Sequence, residues 1–119
     1  MDFSLTDEQE LLKQAVADFC QSPAAAAAAE ADRAAGGFPR NCWNLLAENG
    51  FVGMSIPEEY GGIGLDHLTE CVVLEEMGKV EPAFAITYLC TALALDCVLV
   101  GGSPEQIQKA CDIINKAHL

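Results

Sequence analysis

The chain has 119 residues, of which 18 are acidic and six basic, giving a formal net charge of −12, yet 51% of its residues are hydrophobic. So negative a surface repels the phosphates of nucleic acid and anionic lipid headgroups, and so high an apolar content excludes the disordered acidic class. One core is feasible at this length, and residues 1–119 are read as a single helical domain.

The opening MDFSLTDEQE has acids where a secretory leader needs lysine or arginine, and no apolar stretch follows it, so a cytoplasmic protein is expected. Thr6 can cap a first helix, Asp7 and Glu8 favour its positive end, and Gln9 completes a T-x-x-Q capping box. Leu11, Leu12, Ala15, Val16 and Phe19 recur at helical spacing and predict one buried face ending near Cys20. In SPAAAAAAEADRAAGG, a serine cap, a proline at the first helical position, an alanine run and a Gly-Gly stop predict a second helix in preference to a linker. FPRNCWNLLAENG predicts a short third helix that presents Cys42, Trp43, Leu45 and Leu46 and closes at Gly50.

The apolar run 51–56 is glycine-broken and closed by Pro57, which argues against a strand. A fourth helix, HLTECVVLEEMGKV, starts at His67, carries Leu68, Cys71, Val72, Leu74 and Met77, and ends near Gly78. The longest element follows Pro82 and runs over residues 83–100, with Thr87, Thr91, Asp96 and the Tyr88 hydroxyl as its polar members. At about 27 Å it approaches a bilayer span. Asp96 and the lack of a basic flank favour a central helix buried nearly all round, with no membrane span. Ser103, Pro104 and Gln106 open a last helix whose apolar face is Ile107, Ala110, Cys111, Ile114 and Ala117. The fold class is therefore all-α, a bundle of about six helices.

Cysteines stand at 20, 42, 71, 90, 97 and 111 without a CxxC pair, so no metal site is expected and the six are read as buried, reduced thiols. Cys90 and Cys97, two helical turns and about 10 Å apart, are beyond disulfide reach. The loop PEEYGGIGLDH fails as a nucleotide cradle: His67 stands where a G-x-G-x-x-G fingerprint needs its third glycine, and no lysine follows as in a P-loop. Its glycines are read as positive-φ positions that reverse the coil. Glu75 and Glu76 point about 100° apart on a helix and are read as solvated or capping charges.

MDFSLTDEQELL, FPRNCWNLLAENGFVGMSIPEEYGGIGLD, LEEMGK and the spacing to GGSPEQIQK together resemble the amino-terminal helical domain of acyl-CoA dehydrogenases over about residues 1 to 109. The resemblance implies an FAD enzyme that desaturates an acyl-CoA thioester between Cα and Cβ, built from this domain, a middle β-domain and a carboxy-terminal helical domain. It places the carboxylate base in the carboxy-terminal part, and the flavin in that part and the β-domain, so no catalytic or cofactor-binding residue is assigned here. It also implies an electron-transfer partner and a homo-oligomer, and no turnover by the 119 residues alone. Counting from Glu75 and Glu76, the resemblance puts Ile86, Leu89 and Leu93 on the wall of the acyl pocket, with Cys90 as a neighbour; ordinary core residues are the alternative. ACDIINKAHL departs from the family by continuing as helix where a Tyr-Leu-Pro-like step is usual. A non-catalytic helical interaction or regulatory module derived from the family is the other functional reading. Faces that further domains would cover predict association or loosening of the isolated chain.

Overall fold

A computed structural model describes residues 1–117. Six helices follow in order: α1 (Asp7–Cys20), α2 (Pro23–Ala35), α3 (Arg40–Glu48), α4 (His67–Val80), α5 (Pro82–Gly101) and α6 (Pro104–Lys116), with one 3₁₀ turn at Glu58–Tyr60 before α4. The described residues contain no strand. The all-α reading therefore holds, and the expected helical continuation of ACDIINKAHL is present as far as Lys116, residues 118–119 of that stretch lying outside the described ones.

Local chemistry sets the helix starts. The Thr6 hydroxyl accepts from the Gln9 amide at 3.2 Å while the Gln9 side chain accepts from the Thr6 amide at 3.0 Å, so two otherwise orphaned donors are satisfied. Ser103 and Gln106 repeat this box at α6, and Asp66 caps α4 by accepting from the Thr69 amide at 2.8 Å. Helix α3 begins after Pro39, which offers no capping side chain. Its cap comes from α2: Asp32 accepts from the Asn41 amide at 3.0 Å, the Asn41 side chain at 2.7 Å and the Cys42 amide at 2.8 Å. Burial by itself would raise the pKa of Asp32, but these hydrogen bonds outweigh it and hold the carboxyl below its ordinary range.

The core lies where α1 packs on α4, α4 on α5, and α3 on both α2 and α5. Val16, Leu46, Val73, Met77 and Phe84 are fully buried there, and the Phe19 ring meets Phe51 at a tilt and Phe84 edge-on, with centroids 4.9 and 5.5 Å away. A smaller apolar cluster, Ile56, Leu95 and Cys111, joins the loop before the 3₁₀ turn to α5 and α6.

Several expected faces are narrower than periodicity implied. Leu11 and Ala15 on α1, and Leu68 and Cys71 on α4, are exposed. Helix α4 instead turns Thr69, Glu70, Val72, Val73, Glu76 and Met77 inward. Glu76 is thus buried, contrary to its reading as a solvated charge, because Lys79 Nζ lies 2.6 Å from it and supplies the counter-charge; Glu75 remains exposed. The expectation of six buried thiols is also corrected: Cys20, Cys42 and Cys111 are buried, whereas Cys71, Cys90 and Cys97 are exposed. Burial and the field of Glu76 push Cys20 up to about 11, and burial with the Asp32 hydrogen bond pushes Cys42 up to about 12, so both stay as inert thiols at neutral pH.

The largest correction concerns α5. Only Phe84, Thr87, Tyr88 and Leu95 are buried, so the helix is covered on one side and bare on the other. Helices α3, α4 and α6 are the elements that pack against it.

Candidate functional site

Along the bare side of α5 stand Ile86, Leu89, Cys90 and Leu93, separated by three and four residues and therefore on one stripe. Ile86, Leu89 and Leu93 are 61%, 38% and 55% exposed, which is not how ordinary core residues sit. Beside the stripe, α5 and α6 leave between them a groove of about 560 Å³ whose lining also includes Phe38 and Pro39. Ile86 and Cys90 line this groove, whereas Leu89 and Leu93 lie outside it on the shoulder.

Thr87, Thr91, Ala94 and Val98 on α5, with Ala110 and Ile113 on α6, also line the groove and were not expected from the sequence. Their spacing of four, three and four along α5 was legible in principle, but nothing local indicated that α6 would leave them a groove. The two hydroxyls do not make the groove polar: Thr87 donates to the Ala83 carbonyl at 2.6 Å and Thr91 to the Thr87 carbonyl at 3.1 Å. The surface can hold an apolar chain or side chain, and it offers no acid, base or nucleophile activated for chemistry.

The nearest titratable cluster serves the fold. Tyr88, on the covered side, donates its hydroxyl to Glu70 at 2.7 Å, and His67 Nδ1 lies 2.9 Å from the other Glu70 oxygen. Desolvation and the Glu70 hydrogen bond drive the Tyr88 pKa upward, while the Glu70 bond and the field of Asp96 raise that of His67. Glu70 is buried with both oxygens engaged, so it ties α4 to α5 and faces no ligand space.

The glycine loop is a closed corner. The amides of Gly61, Gly62, Gly64 and Leu65 donate to the carbonyls of Glu58, Pro57, Ile56 and Met54 at 3.0, 3.2, 2.9 and 2.9 Å. No amide among these is left to cradle a phosphate. Gly61 and Gly64 take φ of 87° and 63°, as the reversal requires, whereas Gly62 is needed for closeness: a Cβ there would lie 1.9 Å from the Ile56 carbonyl oxygen.

Comparison with known proteins places this architecture among others. The family model described as "Acyl-CoA dehydrogenase, N-terminal domain" matches residues 6–114. The 2-methylacyl-CoA dehydrogenase of Solanum tuberosum mitochondria is 35% identical over 108 residues, covering 88% of this chain and 26% of that protein. The cyclohex-1-ene-1-carbonyl-CoA dehydrogenase of Syntrophus aciditrophicus is 36% identical over 105 residues, covering 88% and 25%. A chain in a solved structure concerning the electron transferring flavoprotein of Acidaminococcus fermentans superposes with a TM-score of 0.83 at 34% identity, over 99% of this chain and 31% of that one. The chain spans about a quarter of the length of the curated relatives it matches.

Proposed function

Because the chain belongs to the acyl-CoA dehydrogenase family as its N-terminal helical domain, we propose that it forms one wall of the acyl pocket in an FAD-dependent enzyme that desaturates an acyl-CoA thioester between Cα and Cβ. The observation that carries this reading is the bare stripe of Ile86, Leu89 and Leu93, an apolar surface held out from the core on a helix that Phe84, Tyr88 and Leu95 anchor from behind. Each methylene of substrate laid on it would gain about 0.8 kcal/mol. Cys90 adds a small, polarizable neighbour at the groove edge.

The described residues do not fit FAD by themselves: the glycine amides are all engaged within the corner, and the net charge of −12 opposes a pyrophosphate. The same charge opposes the phosphates of CoA. Flavin, nucleotide recognition, the base and the electron-acceptor contact are therefore assigned to the β-domain and carboxy-terminal helical domain of a complete, homo-oligomeric enzyme, and turnover by these 119 residues alone is not expected.

A full-length protein containing this chain should purify yellow and reduce an artificial electron acceptor when given a series of straight-chain acyl-CoA thioesters. Leu89→Trp in that protein should move the kcat/KM optimum toward shorter chains while leaving flavin content unchanged. A colourless protein inert toward every acyl-CoA would overturn the enzyme reading in favour of a non-catalytic helical module, and an unchanged chain-length profile would remove Leu89 from the pocket.

A further inference from the structure

Helix α5 carries two rows of uncharged side chains with the same spacing. Phe84, Tyr88, Thr91 and Leu95 face the core, while Ile86, Cys90, Leu93 and Cys97 stand exposed, and each row advances by four, three and four residues. The rows are offset by two residues, or about 200° at about 100° per residue, so they lie on nearly opposite sides. A half-turn of the helix would exchange one for the other without bringing a charge into the core row. Burial of apolar surface is non-directional and does little to choose between them. Shape chooses in part, since the Phe84 ring meets Phe19 edge-on at 5.5 Å.

The polar partner of Tyr88 supplies the rest of the choice. Its hydroxyl donates to Glu70 at 2.7 Å, and the described residues show no other side-chain hydrogen bond from α5 to another helix, Thr87 and Thr91 donating within α5 itself. Glu70 is 5% exposed, and its other oxygen lies 2.9 Å from Nδ1 of His67, whose own side chain is mostly in solvent. Turning Tyr88 outward would leave the first oxygen buried without its donor, which costs more than the bond itself contributes. Cys90, the matching member of the other row, brings only a weak S–H donor on a short side chain.

We infer that Glu70 and Tyr88 are positioning residues, whose hydrogen bond selects which row of α5 faces out. The bond acts by penalising the turned arrangement as much as by favouring the observed one. Resting on the acyl-wall reading above, this selection keeps Leu89 and Leu93 presented to the acyl chain, so the pair governs chain-length preference without touching substrate.

Methyl and aromatic NMR of the 119-residue chain with a neutral, soluble gadolinium chelate reads the exposure of each row. In the wild type, the Ile86 and Leu93 methyls should be relaxed strongly and the Phe84 ring hardly at all. Glu70→Leu combined with Tyr88→Phe replaces the pair by apolar groups and should keep or raise the urea midpoint. Leu93 should nonetheless lose about half of its solvent relaxation while the Phe84 ring gains it, as two near-equal populations require. Tyr88→Phe alone should shift both in the same directions, since Glu70 is then unpaired in either arrangement. Glu70→Gln, which keeps an acceptor for the hydroxyl, should retain the wild-type pattern. Wild-type relaxation of both rows in the folded double variant would overturn the inference, as would relaxation rising in both rows together, which marks a helix loosened and not turned. In a full-length protein containing this chain, the double variant should flatten the dependence of kcat/KM on acyl length at unchanged flavin content; an unflattened profile with the rows exchanged would overturn the link to chain length. The relaxation readout needs no turnover, so a full-length protein inert toward every acyl-CoA would sink the acyl-wall reading and leave the selection of rows standing.

Discussion

The two sides of α5 have similar apolar composition and opposite fates. Inward, Phe84 lies against the Phe19 ring, and Tyr88 is tied by its hydroxyl to Glu70, so the side chains are fixed by shape and by one polar bond. Outward, Ile86, Leu93 and Val100 have no such partners and stand exposed. Burial of a helix face therefore depends on what the neighbouring elements present to it, and a helix apolar on both sides marks a surface awaiting a second occupant.

This contrast predicts a gradient of sensitivity. The largest loss is expected away from α5, at the corner that seats Ile56 beneath Leu95: Gly62→Ala drives a Cβ into a backbone carbonyl that no rotamer change can move, costing about 3 kcal/mol or more in urea denaturation. Asp32→Ala comes next, at about 2–3 kcal/mol, because three donors at the start of α3 lose one charged acceptor. Tyr88→Phe should cost about 1.5 kcal/mol by leaving a buried Glu70 oxygen unpaired. Leu93→Ala, at an exposed position, should change stability by no more than about 0.5 kcal/mol. If Leu93→Ala proved as damaging as Tyr88→Phe, the two sides would not differ as described.

Acid sharpens the same picture. The folded pKa of Asp32 is depressed, so its contribution is fully present above the unfolded value of about 3.9 and is lost as pH falls through the folded value. Asp32→Asn should flatten the acid limb of a stability profile below that pH. The folded pKa of His67 is raised, so its contribution is present below the unfolded value of about 6.5 and is lost as pH rises through the folded one. His67→Gln should remove that shallow change near neutrality.

Most of the fold was legible because the sequence marks its helix ends by local means. Thr6 with Gln9, Ser22 with Pro23, and Ser103 with Gln106 each sit within one turn, and all three form as their spacing implies. What was not legible depends on distant partners. Asp32 caps a helix eight residues further along, Glu76 is buried because Lys79 neutralises it, and Glu70 is buried because Tyr88 reaches it from another helix. The apolar stretch of α5 hid its two-sidedness, since hydrophobic residues on every face carry no periodic signal. The stripe of Ile86, Leu89 and Leu93 came from resemblance, and the groove lined by Thr87, Ala94 and Val98 came only from the packing of α6 beside α5.

The central claim, that α5 is sealed on one side and bare on the other, is tested most directly by thiol labelling. In the isolated chain under native conditions, Cys90 and Cys97 should react with a maleimide about as fast as Cys71, while Cys20, Cys42 and Cys111 should react only on unfolding. Protection of Cys90 and Cys97 to the level of Cys42 would contradict the account.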